Sequence, residues 1–201
     1  MEYRDVHIYE NDLIAKLQIE IFNDFFMAGL GLNILKTYYK AILKYPETIC
    51  IVAEKDDGKA VGFVLGQAKA GLKPVIRRYP LIFCLIGIKL LLFRPCSILR
   101  LLNNIEKIDQ NQKDFIDKQD YSEIGLIGVI NDHQGERIGQ VLLFEFEKRV
   151  KQRGAKKLSL TTDYFNNEKT LNAYSNWGFN VYYEFMTYPD RRMYRLIKDI
   201  Q

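Results

Sequence analysis

Glu123-Ile-Gly-Leu-Ile-Gly-Val-Ile-Asn-Asp-His-Gln134-Gly135-Glu136-Arg137-Ile138-Gly139 is the most informative stretch of this chain. Its apolar first half, from Glu123 to Ile130, reads as a strand. A short polar loop follows, and then Ile138, Val141, Leu142, Phe146 and Val150 recur at helical spacing over about 137–153. Gly154 stops that helix. The first backbone N–H groups of such a helix have no partner within it, and they lie at the positive end of its dipole. A strand running through a tight turn into a helix start is therefore a place where a pyrophosphate can sit. Gly135 and Gly139 would let the backbone come close to the phosphates. Taken by itself, the segment reads equally well as a structural turn.

Working outward, Lys157–Thr161 is a short strand, and Asn166 or Asn167 caps a helix running through Trp177. Phe179–Tyr188 and Met193–Ile197 read as a closing antiparallel pair. Towards the N-terminus, residues 3–9 suit a first strand. Asn11 can cap a helix from about Asp12 to Phe26, with Leu13, Ile14, Leu17, Ile21 and Phe25 on its apolar face. A second helix fits Leu32 to Tyr45 and ends at Pro46. Thr48–Glu54 and Lys59–Ala68 are strands joined by the Asp56-Asp57-Gly58 turn. Strands and helices mix, with one strand–helix–strand unit in the second half, so the expected class is α/β in one domain spanning residues 1–201.

Residues 71–120 interrupt this pattern and read as a helical insertion between strands 3 and 4, with apolar pieces at about 80–93 and 95–104. Residues 71–104 hold Lys73, Arg77, Arg78, Lys89, Arg94 and Arg100 and no acidic residue, so the rest of the chain is net negative against a total of +4. The apolar residues of 81–93 surround the helix, which must then bury its surface against its own domain, a second subunit or a membrane surface. The insertion is expected to cap a cleft of the domain, its basic residues near an anionic ligand or lipid headgroup.

A second pattern stands at Asn167-x-x-Thr170-x-x-x-Tyr174-x-x-x-Gly178-Phe179. Together with Gln134-x-x-x-x-Gly139, it resembles the GNAT superfamily of acetyl-CoA-dependent N-acetyltransferases. The two motifs come in that family's order, with a helix and a strand between them. The resemblance covers residues 121–198 well, the first seventy loosely and the insertion not at all. Three positions depart from the pattern: Arg137 where Gly is usual, Thr170 where Ala is usual and Asn131 where Pro is common. A guanidinium at 137 would add a phosphate contact.

The resemblance implies a mostly antiparallel, splayed sheet flanked by helices, with acetyl-CoA as co-substrate. It implies that Gln134, Gly135, Glu136, Arg137, Ile138 and Gly139 cradle the pyrophosphate. Backbone groups of Gly128, Val129 and Ile130 would pair with the pantetheine arm, an N–H near Val129 would stabilise the oxyanion, and Asn167 would hydrogen-bond the coenzyme. Tyr174 falls where the family protonates the leaving thiolate. It is also explained as a core aromatic on the stripe with Leu171, Trp177 and Phe179. An alkyl amine is mostly ammonium at neutral pH, so a base must take its proton. Glu123 matches the general-base glutamate of histone-acetylating members, or is a solvated strand end. His133 reads as loop packing and His7 as a strand residue. No His, Cys or Asp cluster has metal spacing, so no metal is expected.

The acceptor is expected opposite the coenzyme, with Phe25, Phe26, Tyr79, Tyr188 and Arg191 as candidates. The region from Phe25 through Tyr39 loosely resembles family members linked to cell-surface glycan assembly. That points to a primary amine of a small molecule such as an amino-sugar. A protein or peptide amine is the alternative acceptor, and a non-catalytic acyl-CoA-binding or membrane-surface domain is the alternative class.

Composition sets the outer bounds. The 201 residues, 48% hydrophobic and 27% charged, suit a folded domain with a real core. The mild charge of +4 calls for no nucleic-acid partner. Cys50, Cys84 and Cys96 show no zinc or redox spacing and read as thiols in a reducing, cytoplasmic compartment. The charged opening MEYRDVHIYE does not read as a secretory signal, and the longest apolar stretch is too short to span a bilayer.

Overall fold

The computed structural model describes residues 1–23, 25–69, 71–93, 117, 120–187 and 190–200. In chain order the elements are β1 (Glu2–Asp5), α1 (Asn11–Ile21), α2 (Leu32–Lys44), β2 (Thr48–Glu54), β3 (Ala60–Gln67), α3 (Lys73–Arg78) and α4 (Pro80–Phe93). They continue with β4 (Ser122–Val129), α5 (Ile138–Gln152), β5 (Lys157–Asp163), α6 (Glu168–Asn176), β6 (Asn180–Thr187) and β7 (Arg191–Asp199). The seven strands form one sheet in the order β1-β2-β3-β4-β5-β7-β6. All neighbours are antiparallel except β4 and β5. That one parallel pair comes from the strand–helix–strand unit β4–α5–β5, whose crossover helix packs on one face.

Alternation along the strands sends side chains to two cores. Ile49, Ile51, Val64, Ile124, Leu158 and Leu160 meet α5 and α6 through Ile138, Leu142, Phe146 and Tyr174. Cys50, Val52, Phe63, Leu65 and Ile130 meet α1 and α2 through Ile14, Leu17, Leu35 and Tyr39 on the other face. The buried Tyr39 hydroxyl donates to Gln18 Oε1 at 2.6 Å, which satisfies a polar pair inside the second core.

Several boundaries differ from expectation. β1 ends at Asp5, because the chain turns at residues 8–10. There Glu10 accepts from the His7 N–H at 2.7 Å and from Arg4. His7 therefore lies in a turn and not in a strand. Asn11 donates to the Lys36 carbonyl at 3.2 Å and leaves the helix start uncapped by any side chain. α1 stops at Ile21, five residues early, and Phe25 and Phe26 fall beyond it. α3 was not expected, and the apolar piece at 95–104 lies outside the described residues.

The decisive irregularity is in β4. Leu65 pairs with Leu126 but Gly66 with Ile124, so Gly125 is an extra residue, a β-bulge. On the other edge, β4 pairs with β5 only through Ser122, Glu123 and Ile124. Pairing ends where the bulge bends the strand, and beyond it β4 and β5 diverge. This is the expected splay, with a one-residue cause.

Candidate active site

The diverging strands frame a cavity of about 340 Å³. Gly125, Leu126 and Ile127 form one wall, and Thr161, Thr162 and Asp163 the other. Asn167, Thr170 and Tyr174 of the α6 region close one side, and Phe22, Phe25 and Arg191 line it as well. A smaller cavity of about 180 Å³ lies on the α2 face, lined by Tyr38, Ile42, Leu65, Gly71, Leu72 and Glu123. Gly125 lines both.

Past the end of β4, Asn131–His133 make one turn of 3-10 helix, and α5 begins at Ile138. Gly135 has φ 88° and Arg137 has φ 60°. The left-handed value at 137 explains why glycine is usual there. Arginine keeps the same backbone path at a cost of roughly 1 kcal/mol. Among the described residues, the N–H groups of Gly135 through Gln140 have no protein acceptor. Six successive donors at a helix start are what an anionic phosphate group needs. The loop is held from behind. Gln134 Nε2 donates to Asn131 Oδ1 at 2.8 Å, and His133 Nδ1 lies 3.1 Å from Glu136 Oε1. His133 is thus engaged inside the loop.

The upper part of β4 offers its free edge. The Ile130 N–H donates to the Val61 carbonyl of β3 at 2.8 Å. In an antiparallel ladder the backbone groups alternate sides, so Gly128 also faces β3, while Val129 and Ile127 face the opening. Of the three expected residues, Val129 presents its amide there, and Ile127 joins it. Gly128 serves differently, since a Cβ added to it would come within 2.5 Å of Ile21 and 2.7 Å of Phe22. Its bareness lets α1 close over the cavity.

Tyr174 is buried between Trp177 and Phe179, at ring distances of 5.6 and 5.8 Å, and also lines the cavity. Burial pushes its hydroxyl pKa up to about 12, so the phenol keeps its proton. Asn167 Nδ2 donates to Thr162 Oγ1 at 2.5 Å and to the Asp163 carbonyl at 2.9 Å. Both amide hydrogens are therefore spent on the end of β5, and Oδ1 is left as an acceptor beside the cavity.

Glu123 accepts from Arg195 of β7 through Oε1 and from the Gly71 N–H at 3.2 Å through Oε2. Burial opposes the Arg195 charge, but Glu123 holds the guanidinium above its ordinary pKa. Glu123 is therefore no solvated strand end. Arg195 was missed because only the order β5-β7-β6 brings it to Glu123. Phe25 and Arg191 stand together at the cavity, with the guanidinium 5.4 Å from the ring centre. Arg191 is held by Asp163 at 2.5 and 2.6 Å. Phe26 packs instead with the Leu30–Ile34 cluster, and the Tyr79 hydroxyl donates to the Lys44 carbonyl at 2.9 Å. Tyr188 lies outside the described residues. Among those residues no group of three or more His, Cys, Asp or Glu could hold a metal ion.

Residues 17–179 match the family described as acetyltransferase (GNAT). No curated protein matches the chain. Solved structures share the fold. An aminoglycoside 6'-acetyltransferase type Ii superposes with TM-score 0.64 at 15% identity, over 100% of this chain and 98% of that one. An aminoglycoside 6'-N-acetyltransferase complexed with coenzyme A gives 0.61 at 14% identity, over 100% and 98%. A GNAT-family structure from Desulfovibrio desulfuricans gives 0.62 at 12% identity, over 100% and 99%.

Proposed function

We propose, on the premise that this chain belongs to the acetyltransferase (GNAT) family, that it moves an acetyl group from acetyl-CoA to the primary amine of a small molecule. The six unpartnered N–H groups from Gly135 to Gln140 carry the coenzyme half of that reading. They hold the pyrophosphate, and the Arg137 guanidinium adds a charge at its edge. The backbone amides of Val129 and Ile127 hydrogen-bond the pantetheine arm. Oδ1 of Asn167 accepts from an amide N–H of that arm. The Val129 N–H, on the edge of β4 that faces away from β3, stabilises negative charge growing on the thioester oxygen.

The amine reaches Glu123 in the cavity on the α2 face, and Gly125 separates the two cavities without a side chain to block them. Glu123 orients the amine and takes its proton, with Arg195 fixing the carboxylate. Tyr174 remains protonated at working pH and donates to the sulfur as the C–S bond breaks. The product is an amide: the ammonium proton taken by Glu123 passes to solvent, and the second proton, lost as the C–N bond forms, balances the one gained by the thiolate.

For the acceptor, the exposed Phe25 ring beside Arg191 and Asp163 offers an apolar face next to paired donors and acceptors. That combination suits the faces and hydroxyls of a sugar ring, and an amino-sugar is the preferred acceptor class. The test is steady-state release of free CoA with amino-sugars, polyamines and peptide N-termini. Turnover with amino-sugars above the others is expected. Turnover with peptide amines alone would replace the acceptor, and thermal stabilisation by acetyl-CoA without turnover on any amine would make the chain a binding domain.

A further inference from the structure

Helix α4 carries no charge except Lys89, and among the described residues one of its sides packs against the fold. Ile82, Phe83, Ile86 and Leu90 pack against Leu30, Ile34 and Tyr38. Leu81, Leu85, Ile88, Leu91 and Leu92 lie on the other side and are between 47% and 79% exposed. Their spacing of three and four residues makes a continuous apolar stripe, and the exposed Cys84 lies on it. Leu72, just before α3, and Ile76 on it are exposed beside the exposed Lys73, Arg77 and Arg78. An apolar stripe of this size on a folded surface marks a contact.

Charge chooses between the contacts. Residues 71–93 contain four basic residues and no acidic one. A two-fold contact between copies brings the same patch of each chain together, so these cations would meet no anion within it. A phosphate-rich lipid surface complements them. The helix has 14 residues and is roughly 21 Å long, short of the ~30 Å hydrocarbon core. Among the described residues no helix is long and apolar enough to cross a membrane. We propose that α3 and α4 form a docking surface for anionic phospholipid membrane, with the exposed stripe of α4 lying in the headgroup region and the α3 cations on the phosphates. The core side of α4 takes the place that the polar face of a free amphipathic helix would have. The surface adjoins the acceptor side, because Phe83 of α4 packs edge-on to Tyr38, which lines the cavity holding Glu123.

The test does not use acetyl transfer, so it stands apart from the proposed reaction. In a Cys96→Ser background Cys84 is labelled with an environment-sensitive fluorophore, Cys50 being buried. The labelled protein is floated with vesicles of phosphatidylcholine alone or with 30% phosphatidylglycerol added. Flotation and a blue shift are expected only with phosphatidylglycerol, and both should weaken at high salt. Arg77→Gln with Arg78→Gln should weaken partition about 25-fold, from about fivefold per cation. Leu85→Glu with Leu92→Glu should abolish it while the acetyl-CoA thermal shift persists, which shows a folded protein. Three results would overturn the proposal. One is no flotation of the unsubstituted protein with anionic vesicles at low salt. Another is a soluble dimer that Leu85→Glu converts to monomer. The third is a Cys84 too shielded to label, which would mean another part of the chain covers the stripe.

Discussion

Gly125→Leu separates the fold from the reaction. Gly125 is the bulged residue of β4, and a Cβ added there meets only the Leu65 carbonyl oxygen, at an ordinary 3.7 Å. Its φ is not left-handed, so a side chain brings no backbone strain. The stability change should stay within about 1 kcal/mol, or less than about 4 °C in Tm for a chain of this size. The site responds differently. Four added carbons occupy roughly 120 Å³, taking each at the ~30 Å³ share of a water molecule. That is more than half of the 180 Å³ cavity beside Glu123. An amine displaced by about 1 Å from the thioester loses on the order of 100-fold in rate. The assay pairs the acetyl-CoA-induced thermal shift with kcat/KM from free-CoA release. The expected result is a retained shift with kcat/KM lowered about 100-fold, and Gly125→Ala in between. Unchanged kcat/KM in Gly125→Leu would refute the idea that the two substrates meet at this residue.

Other substitutions test the remaining roles. Arg137→Gly relieves the left-handed strain and loses one phosphate contact, so Tm should hold or rise while the Kd for acetyl-CoA rises about tenfold by titration calorimetry. Tyr174→Phe should lower kcat with little change in acetyl-CoA affinity, and an unchanged kcat would return Tyr174 to the core. Glu123→Gln should lower turnover most at low pH, where the amine is most protonated, in a pH–rate profile; a uniform loss across pH would assign Glu123 to positioning. Tyr174 ionises at about 12 when folded against about 10 unfolded, so its stabilisation is complete below pH 10 and is lost as pH rises towards 12. The loss is at most about 3 kcal/mol, and Tyr174→Phe should remove it from alkaline melting curves.

The elements with a clean period were legible. The helical spacing from Ile138 to Val150 became α5, because burial against a sheet selects that pattern directly, and the long apolar run at 80–93, broken only by Lys89, became α4. The helix start at Ile138, with its glycines before and after, was legible because unpaired N–H groups are a property of every helix terminus. Phe25 and Phe26 misled the reading of α1. They continue its apolar period, yet they leave the helix to pack elsewhere, Phe25 edge-on to Phe22 at 5.2 Å. Tertiary contacts outweighed the local pattern there.

What the sequence hid was register. A bulge leaves no mark of its own, since Gly125 is one of three glycines in or beside an apolar run, with Gly128 and Gly66 filling other roles. Without the bulge, side chains after Ile124 would keep strict alternation, and β4 would continue to pair with β5. One added residue on β4 ends that pairing, frees the amides of Val129 and Ile127, and leaves a bare backbone where the two cavities adjoin. The same hidden register governs Glu123. Its ion pair with Arg195 arises because β5 sits between β4 and β7, with Arg195 opposite Thr161 and Glu123 opposite Ser159. The two residues are 72 positions apart in sequence, and no local period links them. Motif spacing can place a carboxylate near a reacting centre. Only strand order shows which cation holds it.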